Sequence, residues 1–111
     1  MTAALRKEAL MIVISGRVRL LESELVDAVR AASRMAATSR DEPGCLDYRF
    51  AIDVDDRLVM QMIERWESSE ALDAHFATTH FGAFAEALLR SVDGPADFTR
   101  YEVSSAGPLF G

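Results

Sequence analysis

The sequence predicts an α+β domain with the element order β-α-β-β-α-β. Three observations carry this. Residues 45–53 and 97–104 alternate apolar and polar side chains, the period of a half-buried strand. Residues 23–39 and 69–90 repeat apolar side chains at helical spacing. Stop and turn signals separate these runs, at Asp41-Glu42-Pro43-Gly44 and Asp93-Gly94-Pro95.

Residues 11–19 are rich in Ile and Val and read as the first strand. Ile12, Ile14, Gly16 and Val18 share one face, with Ser15, Arg17 and Arg19 on the other. A helix over 23–39 follows, with Leu25, Val29, Ala32 and Ala36 turned inward and Ser23 as its N-cap. In the strand at 45–53, Leu46, Tyr48, Phe50 and Ile52 face away from Asp47, Arg49 and Asp53. Val54-Asp55-Asp56 reads as a three-residue loop, and 57–66 as the returning strand of a hairpin. That loop pairs Asp53 with Arg57, Phe50 with Met60 and Tyr48 with Met62. A slip by one residue would scatter the apolar side chains to both faces.

A short helix is expected over 69–78, capped by Ser68 or Ser69, with Leu72, His75, Phe76 and Thr79 on one stripe. Thr78-Thr79 interrupts it. A second helical piece over 80–90 turns Phe81, Phe84, Ala85, Leu88 and Leu89 inward. The last strand is 97–104. This is the ferredoxin-like order, an antiparallel sheet with helices on one face. The domain is expected to span 11–104, with 1–10 an Ala-rich extension or frayed helix ahead of a candidate start at Met11, and 105–111 a tail. Val59 and Ile63 lie on the opposite side of the third strand, so a second subunit is expected to cover that face.

The chain has 111 residues, which fits one domain. Half are hydrophobic, enough for one core and a subunit interface. The formal net charge of −6 disfavours binding to nucleic acid or to a membrane surface. Cys45 is the single cysteine, which excludes an intrachain disulfide; it reads as a small buried hydrophobe. The apolar run 10–14 is too brief for a signal-peptide core or a span, so the expected location is the cytoplasm.

Two segments carry a family resemblance. Glu42-Pro43-Gly44-Cys45-Leu46-Asp47-Tyr48 resembles the E-P-G-C-L-x-Y signature of the antibiotic biosynthesis monooxygenases. The segment from Glu64 through Trp66, Glu70, Ala71 and Leu72 to His75 is similar to the E-x-W-x-s-x-e-A-L-x-x-H signature of that family, and Thr79-His80-Phe81 to the element that follows. The resemblance runs from about residue 11 to 103. It implies a dimeric α+β barrel with a pocket between sheet and helices. It also implies a monooxygenase acting on a quinol or polycyclic phenol with dioxygen, as a homodimer and without metal, flavin or haem. The alternative is a non-catalytic dimer that binds a small aromatic or serves as an accessory protein. A haem-degrading relative is disfavoured: those enzymes carry an asparagine near the end of the first strand, where this chain has Gly16, and the chain contains no asparagine.

No metal or cofactor motif stands out. There is no Cys cluster, no H-E-x-x-H and no phosphate-cradling glycine loop. The five-residue gap between His75 and His80 does not place both on one helical face, so a histidine-plus-carboxylate site is a lesser alternative. A cofactor-free oxygenase must bind a flat aromatic, remove one proton and exclude water. Tyr48, Phe50, Met60, Met62, Phe81 and Phe84, with His80, are the candidate binding residues; plain core packing is the other reading for most of them. Trp66 and Tyr48 carry polar tips that need partners. His75 is the candidate proton acceptor, or else a core histidine bonded to a backbone carbonyl. Glu64 falls beside Trp66 on the apolar strand face. Burial there would raise its pKa and make it, with Trp66, a further catalytic candidate; the favoured reading is a structural salt bridge to a cation such as Arg100 or Arg17.

Overall fold

A computed structural model describes residues 11–111. The expectation for residues 1–10 lies outside the described residues. The chain forms β1 (Met11–Arg19), α1 (Leu25–Arg40), β2 (Cys45–Ile52), β3 (Val59–Trp66), α2 (Ser69–Phe76), α3 (Thr79–Ser91) and β4 (Asp97–Val103). The sheet has the order β2-β3-β1-β4, and every neighbouring pair is antiparallel. This is the ferredoxin-like arrangement that the alternation predicts. Among the described residues, no helix is long and apolar enough to cross a membrane.

One sheet face is the core. Ile12, Met35, Ala36, Tyr48, Trp66 and Leu72 form one buried cluster, and Val18, Leu20, Ala28, Ala32 and Met60 a second. Period-2 alternation sends Ile12 and Val18 of β1, and Met60, Glu64 and Trp66 of β3, toward the helices. The opposite face carries Ile63, 42% exposed, and Tyr101, 51% exposed. Gly16 permits the close approach of β4: a Cβ there would sit 2.1 Å from Phe98 Cδ1 and 2.6 Å from the Asp97 carbonyl oxygen.

Two expectations are corrected. The hairpin register is Phe50 with Met62, Tyr48 with Glu64 and Ile52 with Met60, not Phe50 with Met60 and Tyr48 with Met62. Asp53 and Arg57 do not close the turn, because the loop is longer. Asp53 Oδ2 accepts from the backbone N–H groups of Asp55 (2.9 Å) and Asp56 (3.1 Å), and Asp56 Oδ1 accepts from that of Leu58 (3.0 Å). These aspartate turns hold residues 53–58 out of the ladder. At the first helix, Ser23 is not the N-cap. It lies in a 3-10 turn, Glu22–Glu24, and α1 starts at Leu25 without a side-chain cap. The rotated start buries Ala28, Met35 and Ser39 alongside Ala32 and Ala36, and leaves Val29 40% exposed.

The second helical region matches its capping signals, but Leu89, expected to turn inward, is 80% exposed. Ser68 Oγ accepts from Ala71 N–H (3.1 Å) at the start of α2, and Thr78 Oγ1 accepts from Phe81 N–H (3.2 Å) at the start of α3. Thr78 thus restarts the helix and turns α3 along a new axis.

Candidate active site

Between the sheet and helices α2 and α3 lies a cavity of about 610 Å³. That volume suits a small polycyclic ring system. Ile14, Met62, Leu72, Phe76, Phe81, Phe84 and Leu88 supply apolar walls, and Phe98, Thr99 and Arg100 of β4 close one side. Tyr48 and Glu64 are also among the residues that line it. No histidine or cysteine is among the residues that line it.

Glu64 is a carboxyl group only 5% exposed. Among the described residues no arginine pairs with it. Trp66 Nε1–H donates to Glu64 Oε1 at 2.8 Å, which is also the partner that the Trp66 tip requires. Burial disfavours the carboxylate and pushes the Glu64 pKa up to about 7, against the opposing effect of the bonds from Trp66 and Tyr48. Near neutral pH this group is therefore poised between its two forms. The Tyr48 phenol is pushed well above its ordinary range, by burial first and then by the nearby Glu64 charge, so it stays a hydroxyl.

Behind Tyr48 sits a polar chain. His75 is fully buried, with its ring stacked at a tilt 4.7 Å from that of Trp66. Its Nδ1–H donates to Glu42 Oε2 at 2.7 Å, and its Nε2 lies 3.4 Å from the Tyr48 hydroxyl. His80 Nε2–H donates to the same Glu42 oxygen at 2.7 Å. Burial lowers the His75 pKa, and the Glu42 bond opposes this only partly, so the ring is a neutral imidazole at neutral pH.

The residues named from sequence divide into three groups. Tyr48, Met62, Glu64, Phe81 and Phe84 meet at the cavity. Trp66, His75 and His80 do not line it; Trp66 and His75 are packed behind Tyr48, and His80 stands with Glu42. Phe50 and Met60 line a separate depression of about 260 Å³ between α1 and β2, although the Phe50 ring also meets Phe84 at 5.4 Å. Sequence reasoning missed Glu42 as a functional group, reading it only within the turn signal and the family-like segment 42–48. The helix break also escaped the spacing rule: His75 ends α2 and His80 begins α3, so the change of axis brings both rings to one carboxylate.

The comparisons with known proteins agree with this geometry. The model of the antibiotic biosynthesis monooxygenase family matches residues 11–87, and the chain belongs to that family. Membership gives it a function of the monooxygenase type. The chain is 26% identical over 94 residues to a Bacillus subtilis protein named "Putative monooxygenase YcnE", covering 85% of this chain and 99% of that one. It is 28% identical over 98 residues to the Synechocystis protein sll1783, covering 88% of this chain and 67% of that one. A Deinococcus radiodurans structure named as a "putative antibiotic biosynthesis monooxygenase" superposes with a TM-score of 0.81 at 22% identity, covering 90% of this chain and 99% of that one. A conserved protein from Methanosarcina mazei gives a TM-score of 0.81 at 18% identity, covering 87% and 96%. Likenesses at these low identities bear on the fold.

Proposed function

We propose that this protein oxidises a quinol or polycyclic phenol with dioxygen, drawing all the electrons from the substrate. The observation that carries the reading is a buried carboxyl poised near neutrality in the wall of a largely apolar cavity sized for fused rings. A phenol donates electrons to dioxygen readily only after it ionises, so the protein must supply a base and keep water from the intermediate. Glu64 is the base. As carboxylate it takes the proton from the substrate hydroxyl, while Trp66 Nε1–H and the Tyr48 hydroxyl hold its oxygens in place. The apolar walls clamp the ring, and the low polarity around Glu64 favours its return to the neutral acid.

The reaction balances without a further reductant. A quinol and dioxygen give a hydroxyquinone and water: one oxygen atom bonds to ring carbon and the other leaves as water. The four electrons that reduce dioxygen come from the ring. His75 acts at one remove, orienting Tyr48 rather than touching the substrate. The test is oxygen uptake by chelator-treated, flavin-free protein across a panel of quinols and phenols. Saturable uptake with at least one of them is expected. Uptake that depends wholly on added flavin or metal would defeat the proposal.

The functional unit is a homodimer that pairs the outer sheet faces. Support comes from Ile63 and Tyr101, large side chains left open on that face beside Val13 and Val59. An obligate interface of this type buries on the order of 2,000 Å² or more. Sedimentation at micromolar concentration is expected to show a dimer, and a stable monomer would contradict it.

A further inference from the structure

We infer that Glu42, His75 and His80 form a binding site for a divalent late first-row metal ion of the zinc class. The site lies outside the cavity and does not rest on the reaction proposed above.

Three observations carry it. The residues come from three separate places, the turn after α1, the end of α2 and the start of α3, yet their candidate ligand atoms all lie within 4.8 Å of one another. Two imidazole nitrogens and one carboxylate oxygen are the ligand set that suits zinc, with a fourth position left for water. The His80 side chain is 28% exposed while that of His75 is fully buried, so an ion has one open side from which to enter.

The present contacts are hydrogen bonds, both N–H groups sharing Glu42 Oε2 at 2.7 Å. Ligands held about 2.0–2.1 Å from a tetrahedral ion lie more than about 3 Å from each other. Binding therefore asks the carboxylate to retreat by roughly half an ångström. It also asks each imidazole to move its proton to its other nitrogen, which costs no net charge. For His75 the new donor is Nε2, and the Tyr48 hydroxyl oxygen is already 3.4 Å away to accept from it. That is the outer-shell bond that fixes the tautomer of a ligating histidine.

The probe is Zn²⁺, with Co²⁺ as its coloured substitute, added to the untagged full chain after chelator treatment and dialysis. Calorimetry is expected to show one Zn²⁺ per chain, and Co²⁺ is expected to give the visible absorption of a four- or five-coordinate site. At a hundredfold excess over the dissociation constant, the melting temperature should rise by roughly 10 °C. His80→Ala, at the exposed corner of the site, should lower Zn²⁺ affinity on the order of 100-fold or more while the protein stays folded. Glu42→Gln keeps an oxygen for the two N–H groups and should lose affinity to a similar degree. Absence of saturable Zn²⁺ binding to the wild type would overturn the inference and leave a hydrogen-bonded clamp. Full retention of affinity in either variant would overturn it equally. Neither readout depends on turnover, so an inactive but zinc-binding protein would count against the reaction alone.

Discussion

Glu64→Gln is expected to lower the turnover of an accepted quinol by about 10²–10⁴-fold, the usual cost of removing a general base. The same substitution is expected to make the protein more stable at pH 8. The sign follows from the carboxyl itself. Its pKa is about 7 in the folded chain against an ordinary value of 4.5, so the folded state holds the proton more tightly than the unfolded state. Stability therefore falls as pH rises from about 4.5 to about 7 and is level above that. The gap corresponds to on the order of 3 kcal/mol. Glutamine has no such gap, and its carbonyl oxygen still accepts from Trp66 Nε1–H. Melting curves of the two proteins should nearly coincide at pH 4.5 and separate by several degrees at pH 8. In the wild type, activity should climb through pH 7 as the carboxylate forms. Equal activity in the two proteins would place the base elsewhere, and equal stability at pH 8 would mean that Glu64 ionises freely.

Trp66→Ala is expected to cost about 3–5 kcal/mol of folding free energy. The ring is fully buried, meets Tyr48 edge-on at 6.3 Å and lies 4.7 Å from His75. Its loss opens a cavity at the centre of one core cluster and strips Glu64 of its indole donor. Total stabilities of small domains are about 5–15 kcal/mol, so much of this variant should unfold at low denaturant. Trp66→Phe separates the two effects. It restores most of the packing without the N–H, and the pH at which activity rises should move upward because a donor to the carboxylate is gone. Denaturant titration and the pH profile check the pair. A Trp66→Ala protein as stable as the wild type would show that the cluster does not need the ring.

The parts of this fold legible in the sequence are those that depend on periodicity. Alternation placed Ile12, Tyr48, Met60 and Trp66 on the covered face, and Ser68 and Thr78 announced the two helix starts through their capping oxygens. The hairpin register was not legible, and the reason is specific. A slip of two residues leaves every side chain on its own face, so face alternation cannot distinguish Tyr48–Met62 from the observed Tyr48–Glu64 pairing. The aspartate turns at Asp53 and Asp56 decide it, and that choice sets Glu64 directly across from Tyr48. The start of α1 escaped because Ser23 looks like a cap, while full burial of Leu20 draws the chain inward first and delays the helix. The Glu42–His75–His80 group escaped for a geometric reason: helical spacing holds along one axis, and the chain changes axis at Thr78.

The most direct test of the proposed chemistry follows the oxygen atoms. Chelator-treated, flavin-free protein would be given a quinol that it accepts under ¹⁸O₂, with mass spectrometry of the product and an oxygen electrode run in parallel. The expected result is one labelled oxygen per product molecule and one dioxygen consumed per turnover, with the rate depressed in Glu64→Gln. A product without label, or label incorporation only when flavin or metal is supplied, would contradict a monooxygenase whose electrons come from the substrate alone.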